Sequence, residues 1–308
     1  MMTTELPTTC GVAVRSSDWL EGQPLTVLTG DSERLLRSTV PDESIDCAVT
    51  SPPYFKQRDY GYDGQIGHEE IPEQYAYGLA TLFDKVACCL KPTGTLWLNI
   101  ADTYVGGELA GIPWMVVRMM RSHSEWRVRS EVCWSKPNPM PESVKNRPSR
   151  SHEWLFMLTK EDDYYYDAEA VKEPASDNPV TRARNNRADK GLVGAMALHG
   201  TKYGQSGNGG WKRKGIETRN RRTVWNIAVA SCPVGYHGAT FPKALAELCI
   251  KASCPVGGIV LDPFAGSGTT GEAALQNNRR AILIEKNPDY VQLINKRCSD
   301  ARGLPLAL

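Results

Sequence analysis

Two consecutive prolines, Pro52 and Pro53, follow directly on the short apolar run Ser44-Ile45-Asp46-Cys47-Ala48-Val49, and no other feature restricts the fold of this chain as much. The run has strand character, and two prolines cannot continue a paired strand, so the chain must leave its sheet within Thr50-Ser51-Pro52-Pro53-Tyr54. With φ fixed at both prolines the exit is stiff. It holds the Ser51 hydroxyl, nearby unpaired carbonyls and the Tyr54 ring at one rim of the sheet. For the pentapeptide alone two readings stand open: a reaction platform, or a Pro-Pro turn whose Tyr54 packs on the core.

Around this stretch the pattern alternates strand and helix. Leu25–Thr29 reads as a strand closed by Gly30-Asp31. Pro72 opens a helix with Tyr75, Leu79, Leu82, Phe83 and Val86 near helical spacing, ending around Leu90-Lys91-Pro92; Thr93-Gly94 reads as a turn and Thr95–Ile100 as a strand. Ile112–Arg121, Lys243–Ala252 and the stretch from Pro288 to about Arg302 are helical, while Val128–Trp134, Trp154–Thr159, Thr223–Ile227, Gly258–Asp262 and Ala281–Ile284 are strands. This order is that of a Rossmann-like α/β fold on a mostly parallel sheet, which places ligands at the carboxyl ends of its strands, near Asp102 and Tyr104 among others.

The 308 residues carry a formal charge of +1, so a nucleic-acid partner has to be found through local charge. Nine cysteines without a C-x-x-C pair or zinc-like spacing argue against a metal site and a disulfide framework. The start of the chain has no apolar signal segment, and no apolar run approaches the roughly 20 residues that span a bilayer. The expectation is a reduced, cytoplasmic protein.

Gly266-Ser267-Gly268-Thr269-Thr270-Gly271 fits G-x-G-x-x-G, and Glu285, about 20 residues on at a strand end, is placed to accept from ribose hydroxyls. A nucleoside cofactor follows. In the dinucleotide fingerprint the glycines stand at the strand end, whereas here Asp262-Pro263-Phe264 intervenes; the missing Lys after the last glycine excludes a nucleotide-triphosphate loop.

Ser51-Pro52-Pro53-Tyr54 resembles the catalytic motif of the DNA amino-methyltransferases, which move a methyl group from S-adenosylmethionine to the exocyclic amine of cytosine (N4) or adenine (N6). Asp262-Pro263-Phe264-Ala265-Gly266-Ser267-Gly268-Thr269-Thr270 is similar to their cofactor motif, and the pair is far more specific than either member. Trp134-Ser135-Lys136-Pro137-Asn138-Pro139-Met140-Pro141, Asn146-Arg147 and His152-Glu153 resemble later motifs of the same enzymes, in a proline-rich loop suited to line the target-base pocket or to serve as a plain surface connection.

Catalytic motif first and cofactor loop last is the permuted order of the family's β group, and the likeness runs from about Leu25 to Arg302. It implies catalytic roles for Ser51, Pro52, Pro53 and Tyr54. For the cofactor it implies Asp31, Thr240, Phe241, Pro242, Asp262, Phe264, Gly266, Ser267, Gly268, Thr269 and Glu285, although Asp31 reads equally well as a helix cap. Gly238 stands where the family often has Pro.

Composition changes at about Glu173. Residues 174–223 hold eleven Lys and Arg against three acids, with frequent Gly, Asn and Ser and no hydrophobic periodicity. Such a segment is a solvated surface or a contact for DNA phosphates; its confinement to one insert favours DNA, with Arg182, Arg184, Arg187, Lys212, Arg213, Lys214, Arg219, Arg221 and Arg222 as candidates. The expected organisation is an arm (1–21), a catalytic half (22–173), a target-recognition insert (174–223) and a cofactor half (224–308).

Ser in the first motif position goes, in the resembling family, more often with N4-cytosine than with N6-adenine, so cytosine N4 is the favoured target. Adenine N6, RNA and protein amides are the alternatives. Cytosine C5 chemistry needs a cysteine nucleophile, usually in a Pro-Cys pair, and Cys232-Pro233 and Cys254-Pro255 have the reverse order. Double-stranded DNA is the implied partner, with a companion restriction endonuclease and a homodimer as further possibilities.

Overall fold

The structure, a computed structural model, describes residues 22–57, 65–175, 218–229 and 241–302. The chain divides into two compact units, one of residues 1–170 with 222–308 and one of residues 171–221.

In the first half of the chain lie β1 (Leu25–Thr29), α1 (Ser32–Ser38), β2 (Ile45–Thr50), α2 (Pro72–Cys89), β3 (Leu90–Ile100), β4 (Tyr104–Val105), β5 (Glu108–Leu109), α3 (Ile112–His123), β6 (Arg127–Ser135) and β7 (His152–Thr159). There follow β8 (Glu173–Pro174), β9 (Thr218–Arg219), β10 (Val224–Asn226), α4 (Lys243–Ser253), β11 (Ile259–Asp262), α5 (Thr269–Gln276), β12 (Arg280–Glu285) and α6 (Pro288–Arg302). In the smaller unit β8 and β9 pair antiparallel.

α2 starts on Pro72, whose missing N–H is not needed in the first turn, and buries Tyr75, Leu79, Leu82, Phe83 and Val86 as its spacing predicts. Its end departs from expectation. β3 begins at Leu90 and runs through Lys91-Pro92-Thr93-Gly94, the stretch read as helix end and turn. The register explains why: Ile45 pairs with Leu90 but Cys47 with Thr95, so the extra residues bulge out of the ladder and Pro92 needs no partner for a missing N–H. Lys91 closes the bulge by an ion pair to Asp46 at 2.7 Å.

Eight strands form the main sheet in the order β1-β12-β11-β2-β3-β7-β6-β10. All neighbouring pairs are parallel except those made by β7, which alone runs against the rest. The α/β fold on a mostly parallel sheet is therefore as expected. Helices α1, α2 and α3 pack beside one another over Ile45, Leu96, Leu98, Leu261, Ile282 and Ile284. Alternate strand residues serve the second helical layer of α4, α5 and α6: Trp97 donates to Ser253 Oγ of α4 at 2.9 Å, and Leu283 meets Gly271 of α5.

From β2 the chain moves outward to β3, and from β11 it moves the opposite way to β12. The boundary between β2 and β11 is thus where strand order reverses, and a crevice opens outside the carboxyl ends at such a point.

Candidate active site

The two proline- and glycine-marked motifs meet at that boundary. Thr50 Oγ1, at the end of β2, donates to Asp262 Oδ1 at the end of β11 (2.6 Å), and Thr270 Oγ1 of α5 donates to Asp262 Oδ2 (2.6 Å). The Phe264 N–H adds a third bond at 3.0 Å. Asp262 is 1% exposed, and burial pushes its carboxyl up to about 6 against the pull of these three donors. The carboxylate therefore clasps residues 212 positions apart. Ser32 Oγ reinforces the clasp by donating to the Pro263 carbonyl at 2.5 Å.

Beyond Thr50 the prolines fix the rim. The Pro53 carbonyl accepts from Tyr75 Oη (2.8 Å), whereas the Pro52 carbonyl takes no hydrogen bond from a described residue. Ser51 Oγ donates to Tyr54 Oη (2.9 Å), and Tyr54 Oη donates to Glu153 Oε2 (2.7 Å). Asn99, near the end of β3, sends its Nδ2 hydrogens to Tyr54 Oη (2.8 Å) and Glu153 Oε2 (2.7 Å), with a longer contact to Ser51 Oγ. Lys136, just past β6, pairs with Glu153 Oε1. Burial, and then the Glu153 charge, hold the Tyr54 phenol well above its usual range, so it remains a neutral hydrogen-bonding group. Ser51, Asn99 and Lys136 come from carboxyl ends of parallel strands; Glu153 reaches the same rim because β7 is reversed.

On the β11 side, Gly266 (φ +51°) and Gly268 (φ +85°) turn the chain into α5. A Cβ at Gly266 would meet nothing within 4 Å, so that backbone borders open space; a Cβ at Gly268 would lie 3.1 Å from Ile294 of α6. Glu285 Oε2 accepts from the Gly266 N–H (2.7 Å) and Oε1 from the Asn287 N–H (2.8 Å). Burial raises its carboxyl pKa, the two N–H groups opposing. Each oxygen keeps a lone pair for a further donor.

The remaining expected residues divide. Asp31 caps α1 by accepting from the Arg34 N–H (3.1 Å), the cap reading. The Ser267 and Thr269 hydroxyls accept from Arg297 of α6 (2.7 and 2.9 Å), and the Ser267 carbonyl accepts from the same guanidinium at 3.2 Å. Phe264 is half-buried against the core. Pro242 occupies the cap position of α4, with Phe241 before it. In the smaller unit Arg219 is paired to Glu173 (2.7 Å) and Arg221 donates to the Val171 carbonyl (2.8 Å); Arg222, in the larger unit, is exposed. Thr240, Arg182, Arg184, Arg187, Lys212, Arg213, Lys214 and Cys232 lie outside the described residues. Cys254 is buried and its thiol is pushed up by desolvation, the opposite of an activated nucleophile.

Sequence reasoning passed over Asn99, Arg297 and Ser32, and quoted Lys136 and Glu153 within motifs without assigning either a role. Asn99 had a signal: it is a polar side chain near the end of an otherwise apolar strand, and it is 2% exposed.

The profile of the N6/N4 methylase family, described as DNA methylase, matches residues 45–296. The chain is 37% identical to Type II methyltransferase M.SmaI of Serratia marcescens, covering 88% of this chain and 89% of that one. It is 38% identical to Type II methyltransferase M.Cfr9I of Citrobacter freundii, covering 91% and 90%. Among solved structures, PvuII DNA methyltransferase (cytosine-N4-specific) superposes with a TM-score of 0.66 at 21% identity, covering 93% of this chain and 88% of that chain. A putative DNA modification methylase of Thermus thermophilus, solved in complex with S-adenosyl-L-methionine, gives 0.57 at 24% identity, covering 90% and 95%.

Proposed function

The chain belongs to the N6/N4 DNA methylase family of S-adenosylmethionine-dependent DNA amino-methyltransferases, and from that premise we propose that its target is the N4 amine of cytosine in a base rotated out of duplex DNA. The observation that carries the reading is Ser51: its own proton is directed to Tyr54, and it stands on the β2 side of the clasp whose β11 side leads into the glycine turn. Ser at this position, in the permuted β-group order, favours cytosine over adenine, and the likeness of fold to a cytosine-N4-specific enzyme is in keeping with it.

S-adenosylmethionine, when bound, supplies an electrophilic methyl carbon on its sulfonium sulfur. The residues fit its binding at the β11–β12 side: open backbone at Gly266, spare lone pairs on Glu285 for ribose hydroxyls, and Phe264 for an apolar contact. An exocyclic amine is a poor nucleophile because its lone pair is delocalised into the ring. Ser51 Oγ and the Pro52 carbonyl each accept a hydrogen bond from one amine hydrogen and so favour the pyramidal nitrogen whose lone pair is aimed at the methyl carbon; the one proton that nitrogen sheds after transfer passes to solvent. Tyr54 offers its ring to the extruded base, offsetting part of a flipping cost of a few kcal/mol. Holding the two reactants in line contributes up to roughly 7–11 kcal/mol, without a metal or a covalent intermediate.

The basic segment 174–223 supplies phosphate contacts, and a companion restriction endonuclease fits relatives of Type II. The test is nucleoside mass spectrometry of mixed-sequence duplex DNA incubated with the protein and isotope-labelled S-adenosylmethionine. Labelled N4-methylcytosine is expected; labelled N6-methyladenine would keep the mechanism and correct the base, and no label in the DNA, with the cofactor shown to bind, would overturn the reading.

A further inference from the structure

We propose that Glu153 is the positioning residue that fixes the direction of hydrogen bonding in the site and obliges Ser51 to meet the target amine as an acceptor; the inference rests on the role given to Ser51 above. The argument is a count of protons. Paired with the Lys136 ammonium, Glu153 is a carboxylate and can only accept. It takes the single proton of Tyr54 and one hydrogen of Asn99 on Oε2. With its proton so placed, the Tyr54 oxygen can only accept, and it does so from Asn99 and from Ser51. Ser51 also has one proton, now directed at Tyr54, so only its lone pairs remain for a ligand.

Asn99 locks this polarity. Its Oδ1 is buried with no described partner, a cost the protein bears because reversing the amide would aim Oδ1 at the carboxylate and phenol oxygens. The direction matters chemically. A serine free to donate would place its proton on the amine lone pair, the pair that must attack the methyl carbon. A serine held as acceptor leaves that pair unblocked. Glu153 and Lys136 are only 12% and 18% exposed, so water competes little for the chain.

Single-turnover methylation of duplex DNA by Ser51→Ala, Glu153→Gln and the double variant tests this. Gln keeps the size of Glu but can donate to Tyr54, which lets the chain reverse. Each single change is expected to slow the chemical step about tenfold to a hundredfold with cofactor affinity unchanged, and the double variant to be no slower than Ser51→Ala alone, since both act through one hydroxyl. Losses that multiply in the double variant, or a full-rate Glu153→Gln, overturn the proposal. A full-rate Ser51→Ala instead overturns the underlying role of Ser51. Two controls keep the test decisive if Glu153→Gln folds poorly. Tyr54→Phe interrupts the same chain one link nearer and must also be non-additive with Ser51→Ala. Tyrosine 13Cζ NMR without DNA or cofactor must show Tyr54 ionising at lower pH in Glu153→Gln; an unmoved Tyr54 signal removes Glu153 from the chain.

Discussion

Asp262→Asn isolates the cost of keeping a carboxylate inside the clasp. The wild-type group has a folded pKa of about 6 against an ordinary 3.8. A raised carboxyl pKa means that the folded state holds the proton more tightly than the unfolded one. Stability therefore falls as pH rises from about 4 through about 6, then levels off. Two units at 1.36 kcal/mol each make that loss about 3 kcal/mol, roughly half of it between pH 5 and pH 8. Asn removes the ionisation and keeps most of the bonding. Its Oδ1 still accepts from Thr50 and Phe264, and its Nδ2 can donate to Thr270 Oγ1, whose proton then turns to the Val49 carbonyl it already approaches at 3.4 Å. Thermal unfolding of both proteins at several pH values reads the difference, because groups titrating in both cancel. The Tm of the variant relative to wild type is expected to rise with pH, by on the order of 5 °C across the whole window for a chain of this length. A difference in Tm that does not change with pH, or that falls as pH rises, would refute the assignment of Asp262 as a buried, protonatable joint.

Other outcomes are expected together. Gly266→Ala should cost only about 1 kcal/mol of stability, from its positive φ in open space, yet weaken S-adenosylmethionine binding measured by calorimetry. Gly268→Ala adds a 3.1 Å approach to Ile294 to the same strain and should destabilise by about 2 kcal/mol or more in chemical denaturation. Replacing Arg219, Arg221 and Arg222 with Gln should flatten the salt dependence of DNA binding, with Arg219 contributing least because Glu173 already neutralises it; an unchanged slope removes the three from the DNA contacts.

What could be read from the sequence was whatever is local. Pro52-Pro53 had to end β2, Pro72 had to begin a helix, and the glycines at 266 and 268 had to bend the chain, since each follows from the residue's own backbone restrictions. β3 defeated the same reasoning. Pro92 and Gly94 are turn residues by propensity, but pairing on either side of them carries the strand through. The site was legible only where a motif named it. Glu153, Asn99 and Lys136 stand 99, 45 and 82 positions from Tyr54. No local pattern reports that a reversed strand brings a carboxylate to meet a phenol. Likewise nothing near Ser267 and Thr269 in the sequence reports that Arg297, from the last helix, donates to both hydroxyls.

The clasp between Thr50 and Asp262 also sets an order of events at the ribosome. β3 can dock on one side of β2 soon after both are made, but the other side of β2 belongs to β11, more than 200 residues later. At about 5–20 residues per second, that flank of a buried strand waits on the order of 10–40 s before its partner emerges. During that interval the nascent chain presents an open apolar edge, a template for wrong pairing that a chaperone or the growing chain itself must cover. The same delay leaves the crevice incomplete until β11 and β12 have emerged, because β2 supplies one wall of it and β11 the other.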